Sequence, residues 1–339
     1  MTMRDVAKAA GVSRMTVSRA LKKDSPVSQK TRDHILKVVK EMNYVPDQMA
    51  ASLSTKKSGF VGVILPSLNN LHFAMTVQSL TEVIEPIGLQ ILLGHSGYSV
   101  TKEEQIVETM LRRRPEAMVL SYDGHSERTV QLLREAAIPI VEIWEIPEKP
   151  IQHTVGFSNR QAAFDMTSAL IQQGFNNIVF LGEDQDDWTR GAARRDGFKL
   201  AMRKAGLDPS ASVRFGSPPL TIENGAAAVE VVLERFQDVE CIFCVSDMAA
   251  FGAQSRLRQM GITVPNQMSV VGFGNFEVSR FSSPAISTVI VDPVQIGRDT
   301  GRIISEVLLT DAPDTASPRH RVTAPALEFR ASSDFCKIK

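Results

Sequence analysis

From Gly59 onward the sequence alternates short apolar runs with longer stretches of helical period. "GFVGVILP", "LQILLGH", "AMVLSY" and "IPIVEIW" are near-continuous runs rich in Val, Ile and Leu, the pattern of strands buried on both faces. Residues 69–86, 101–114 and 127–136 between them read as helices. The alternation starts again at Asn159. Helices are expected at 159–173, 194–205, 225–236 and 248–260, and strands at "NNIVFLG", "ASVRF", "CIFCVS" and "MSVVGFG". Strands alternating with helices build parallel sheets covered on both faces. The body therefore reads as two sequential doubly wound α/β subdomains, with "STVIVDPVQIG" crossing back to the first. In open sheets of this kind ligands bind at the carboxyl ends of strands, so the cleft between the subdomains is the expected pocket.

The first 45 residues follow another pattern. Thr2 with Asp5 makes a capping-box-like start, and Val6, Ala7 and Ala10 form one apolar stripe. Gly11 supplies a turn, Ser13 is placed to cap a second helix, and Val17, Ala20 and Leu21 face inward from it. Arg14 and Ser18, like Met15 and Arg19, are four apart and share the outward face. Ser28 starts a third helix with Ile35, Val38, Val39 and Met42 inward, and Pro46 ends it. Two short helices joined by a Gly turn, closed by a third, are a helix-turn-helix. An outward face rich in donors suits a major groove.

Charge sharpens this picture. The 339-residue chain has no net charge, yet residues 1–57 hold 12 Lys and Arg against 5 Asp and Glu. A basic head on an acidic body points to a polyanion partner for the head. The length exceeds what one core organises. No apolar run of about 18 residues and no signal-peptide core occur, so no membrane span and cytoplasmic residence are expected. Three cysteines fit a reducing compartment. Cys241 and Cys244 form a CxxC, but "CIFCVS" reads as a buried strand rather than a redox or zinc pair. No phosphate loop, HExxH or GxSxG is present, and "GFGNFE" lacks the last glycine of a dinucleotide fingerprint. Neither catalysis nor a cofactor nor a metal is expected.

"DVAKAAGVSRMTVSRAL", "VSQKTRDHILKVVKEMNYVP" and "AASL" resemble the lactose-repressor/galactose-repressor (LacI/GalR) family, specifically over the first sixty residues and more loosely to about residue 335. The resemblance implies a three-helix DNA-binding head (1–45) and a hinge helix formed on DNA (46–57). It also implies a periplasmic-binding-protein-like body, of 58–158 with 290–320 and of 159–289 with 321–339. It places Arg14, Met15 and Arg19 at base-reading positions and Leu53 as a minor-groove wedge. Thr2, Thr16 and Ser18 complete the candidate DNA-contacting set. The implied partners are double-stranded DNA carrying a palindromic operator, a small-molecule effector and a second copy of the chain.

Strand-end positions supply the effector candidates Ser67, His72 and Phe73, although His72 serves equally as a helix-start residue without a ligand. In "GEDQDDWTRGAARRDGF" Arg194 matches the family's effector arginine in "RxxGF". Arg190, four residues earlier, either faces the same anion or pairs with Asp186 or Asp187, and Trp188 can stack on a sugar. Ser246, Asp247 and Asn275 complete the set. Three positions depart from the sugar-binding pattern: Gly274, Ser246 and Ser158 stand where the family usually has Asp, Asn and Asp. A lost carboxylate and a gained guanidinium suggest an anionic effector, and the resemblance runs to the gluconate-type branch. The expected protein is a transcriptional repressor released by gluconate or a ketogluconate. Corepression and a neutral-sugar effector stay open, as do a plain ligand-binding or transport protein and a sugar-acid enzyme.

Overall fold

The computed structural model describes residues 1–21, 26–45, 58–185, 189–309 and 317–334. The chain divides into two compact units, Met1–Ser58 and Gly59–Lys339.

The first unit holds α1 (Met3–Ala9), α2 (Arg14–Ala20) and α3 (Gln29–Glu41). The Asp5 carboxylate accepts hydrogen bonds from Thr2 N and Thr2 Oγ1 at 2.8 and 2.9 Å and so pins the first turn. Gly11 sits at φ +64°, and Val12 N donates to Ala7 O at 3.0 Å. This left-handed C-terminal cap lets the chain reverse within four residues. Ser13 Oγ accepts from Thr16 N and starts α2. Val6, Ala7, Ala10, Val17, Ala20, Ile35 and Val38 close one small core with Tyr44. Residues 46–57, expected to form the hinge, and Leu53 among them lie outside the described residues.

The second unit carries two parallel sheets. The first has β1 (Phe60–Leu65), β2 (Gln90–His95), β3 (Ala117–Ser121), β4 (Ile140–Ile143), β5 (His153–Gly156) and β11 (His320–Val322). Its order is β11-β5-β4-β3-β1-β2 and every pairing is parallel. Helices α4 (Leu71–Ile84), α5 (Val100–Leu111) and α6 (Glu127–Glu135) connect β1 to β4. The second sheet, ordered β7-β6-β8-β9, uses β6 (Ile178–Gly182), β7 (Ser212–Arg214), β8 (Cys241–Cys244) and β9 (Ser269–Val271). Around it lie α7 (Asn159–Gln172), α8 (Arg190–Lys204), α9 (Ile222–Arg235), α10 (Asp247–Gln259) and the short α11 (Glu277–Phe281). Two doubly wound α/β subdomains are thus present, as the alternation predicts.

The crossing back differs in detail from expectation. β10 (Thr288–Ile290) pairs antiparallel with β12 (Ala326–Glu328). It is the helix α12 (Pro293–Leu309) that returns to the first subdomain, packing on α4. Glycine makes that contact close, because a Cβ on Gly297 would lie 2.2 Å from Thr76 O. Cys241 and Cys244 are fully buried on β8. Three apart on a strand, they point to opposite faces, and burial pushes both thiols well above their ordinary range. No helix among the described residues is long and apolar enough to cross a membrane.

Candidate functional site

On the head, α2 presents Arg14, Met15 and Arg19 to solvent, with Met15 62% exposed. Val17 and Ala20 face the core, so the helix is amphipathic with its basic side outward. Thr16 Oγ1 lies 2.9 Å from Ser13 Oγ, reinforcing the cap. Ser18 is half-buried, and Thr2 is exposed but tied to Asp5.

In the body, the carboxyl ends of both sheets face a cavity of about 920 Å³. Ser67, His72, Phe73, Arg190, Arg194 and Ser246 all line it. Trp188 lies outside the described residues. His72, in the first turn of α4, stacks on Phe276 with ring centroids 3.8 Å apart and on Trp144 at 5.9 Å. Burial, with Arg194 nearby, pulls its pKa from 6.5 down to about 4. The unfolded chain takes that proton near pH 6.5, so between about 6.5 and 4 the unfolded state binds more protons than the folded one. The stability tied to neutral His72 is therefore lost as pH falls through that window. His72→Phe keeps the stack and is expected to lose less stability than the wild type between pH 7 and 4, as read by thermal melting at both values.

Arg194, on α8, donates from Nε to Asn159 Oδ1 at 2.8 Å and from Nη1 to Val245 O at 2.6 Å. Its guanidinium lies over the Phe273 ring at 3.7 Å. Nη2 has no partner among the described residues. Burial, then Arg190, lowers its pKa to about 10, leaving it cationic. Asn159 is itself fixed by donating from Nδ2 to Trp144 O and Glu145 Oε2. Gly197, one turn on, lies against α7, where a Cβ would fall 2.0 Å from Arg160 O. That close approach holds α8, and hence Arg194, in place.

Arg190 is engaged otherwise than expected. Its partner is Asp123, in the loop after β3, which accepts from Nε and Nη2 at 3.1 Å each. Asp186 and Asp187 lie outside the described residues. Glu183, at the end of β6, also lines the cavity, and burial raises its pKa against the opposing pull of Arg194 and Arg190. The lining thus sets Asp123 and Glu183 against Arg190 and Arg194, with the exposed Glu223 and Glu277 adding negative charge, not the excess of positive charge that the substitutions suggested.

Asp247 and Asn275 stand behind the wall rather than on it. Asp247 Oδ1 accepts from Thr288 Oγ1 at 2.6 Å and Oδ2 from Phe276 N at 2.7 Å. Burial lifts its pKa to about 6. Asn275 Oδ1 accepts from Arg330 Nη2 at 2.6 Å. Both side chains brace the loop that carries Phe276. The departures have local reasons too. Ser158 and Ser246 cap α7 and α10. At Gly274 a Cβ would lie 2.7 Å from the Phe276 ring and 3.2 Å from His72, so no carboxylate fits beside that stack.

Tyr98, Asp123, Trp144 and Glu183 are among the lining residues that escaped the sequence reading. Asp123, Trp144 and Glu183 lie within two residues of a strand end, a signal available in the sequence. Tyr98 and Trp144 hold left-handed backbone at φ +59° and +73°. Such strain, of order 1–3 kcal/mol per residue, collects at ligand sites.

Residues 2–47 match the family described as bacterial regulatory proteins, lacI family. Residues 167–333 match a periplasmic binding protein-like domain. The HTH-type transcriptional regulator IdnR of Escherichia coli (strain K12) is 31% identical over 90% of this chain and 91% of its own length. GntR of the same strain, also an HTH-type transcriptional regulator, is 31% identical over 87% of this chain and 88% of its own. A crystal structure of a LacI family transcriptional regulator from Silicibacter pomeroyi is 64% identical, with a TM-score of 0.78. It covers 81% of this chain and 99% of that one.

Proposed function

The chain belongs to the LacI family of bacterial regulatory proteins and is a DNA-binding transcriptional regulator, not an enzyme; on that premise we propose that it is a cytoplasmic homodimeric repressor released from a palindromic operator by a sugar acid. Thr2, Arg14, Met15, Thr16, Ser18 and Arg19 contact the operator, with 46–57 as the hinge and Leu53 as its wedge. Two heads address adjacent half-sites, and the effector shifts the two subdomains so that the hinges part. Coupling of this kind is reciprocal, so operator DNA weakens effector binding by the same factor.

The observation that carries the effector reading is the half-buried Arg194, which lines the cavity with Nη2 unpartnered among the described residues, four residues from Arg190. With Nε and Nη1 engaged, the cationic guanidinium still offers Nη2 to one oxygen of a carboxylate. The gluconate-type resemblance supports the same class, gluconate or a ketogluconate. Asp123 and Glu183 favour a second reading, a neutral sugar held through its hydroxyl groups. A gel-shift titration with gluconate, 2-ketogluconate, glucose and ribose decides between them. The aldonates are expected to release the operator while the neutral sugars leave it bound. Release by glucose or ribose at equal concentration favours the second reading, and tightening by any of them means corepression.

A further inference from the structure

Asp123 stands where an effector's carboxylate is wanted. Its two oxygens meet Nε and Nη2 of Arg190 side-on, and Oδ1 lies 3.4 Å from the Arg190 backbone N. This is the fork that a guanidinium offers to any carboxylate. Asp123 comes from the first subdomain and Arg190 opens α8 in the second, so the pair bridges the cleft. Both side chains are largely withdrawn from water, at 12% and 9% exposure. The Arg190 guanidinium also lies over the Phe73 ring, 4.9 Å from its centroid.

We propose that Asp123 is a specificity-determining residue of the effector site, an internal stand-in for the effector's carboxylate that an aldonate must displace from Arg190. The inference rests on the sugar-acid reading. Asp123 and Glu183 already match the two guanidinium groups of the lining, whose other acids, Glu223 and Glu277, are exposed, so a further buried carboxylate would go uncompensated. Exchange on Arg190 avoids that addition, and a neutral sugar, having no carboxylate, has nothing to exchange.

The displaced group must then lose its charge. Asp123 is faced by Arg190 from α8, Glu183 from the end of β6, Tyr98 from the loop before α5 and Glu103 from α5, with Tyr122 and His125 on its own loop. His125 is committed elsewhere, with Nδ1 2.6 Å from Glu103 and Nε2 3.6 Å from Glu142. His125 also acts on Asp123, but more weakly than Arg190, and it stays paired with Glu103. Burial already pushes its carboxyl up, against the pull of Arg190. Once parted from Arg190 it takes up a proton.

Calorimetry of D-gluconate binding to the full chain, at pH 6 and pH 8 and in buffers of different ionisation heat, tests this. The wild type is expected to take up close to one proton per gluconate and to bind more weakly at pH 8. Asp123→Asn keeps the shape, still accepts one hydrogen bond from Arg190 and removes the competing charge. It is expected to bind gluconate about tenfold more tightly at pH 8, without proton uptake. If the variant does not fold, the wild-type proton count decides alone. Binding without proton uptake, or a folded Asp123→Asn that binds gluconate no more tightly, overturns the role of Asp123 and leaves the sugar-acid reading standing. A wild-type chain that binds no aldonate overturns both.

Discussion

Arg19→Ala is expected to abolish specific operator binding in a gel-shift assay while leaving the fold and the effector response intact. Arg19 lies in the last turn of α2, on the exposed face, whereas Val17 and Ala20 hold the helix to its core. Removing it therefore costs no packing. A bidentate arginine-to-guanine contact discriminates by about 1–3 kcal/mol. On a palindrome the contact occurs twice, so roughly 2–6 kcal/mol is lost, equivalent to about 30-fold to 10⁴-fold in affinity. The sequence-independent part of binding comes from phosphate contacts and persists. The variant should thus still shift DNA weakly at low salt, with no preference for its site. An Arg19→Ala chain with wild-type operator affinity ends the assignment of α2 as the reading helix.

How far the sequence carried this picture depends on the length scale of the interaction. The head was legible because its information is local: caps at Thr2 and Ser13, a left-handed Gly11 and apolar residues at helical spacing. Only Tyr44, packed into the core beyond the end of α3, follows no period. The main strands were legible because a strand covered on both faces is apolar throughout. β5, β11 and β12, reading HTVG, HRV and ALE, were not, since each is short and half polar. Their pairing is set by what lies next to them rather than by their own composition. The cavity shows the same division. Strand ends indicated Ser67, His72 and Phe73, and the same rule extends to Asp123, Trp144 and Glu183. Which carboxylate Arg190 would choose was beyond reach, because its partner stands 67 residues away and only the fold brings them together.

Arg194→Met should uncouple the effector without disturbing the head. The methionine keeps an apolar stem against Phe273 but deletes the guanidinium that stacks there at 3.7 Å. It also leaves Asn159 Oδ1 and Val245 O without their donors. Truncating one partner of a buried, hydrogen-bonded charge typically costs 2–5 kcal/mol in binding, roughly 30-fold to several thousand-fold. The two orphaned acceptors lower stability by about 1–3 kcal/mol each at most, visible as a lower melting temperature. Operator affinity without effector should stay at the wild-type level, since α2 is untouched. The variant is therefore expected to remain on DNA at gluconate concentrations that release the wild type. Arg194→Lys separates charge from geometry: an ammonium keeps the positive charge but lacks the planar fork. It should fall between the two, closer to Arg194→Met if the fork matters more than the charge. Release of Arg194→Met at the wild-type gluconate concentration would mean that the effector is held elsewhere in the cleft.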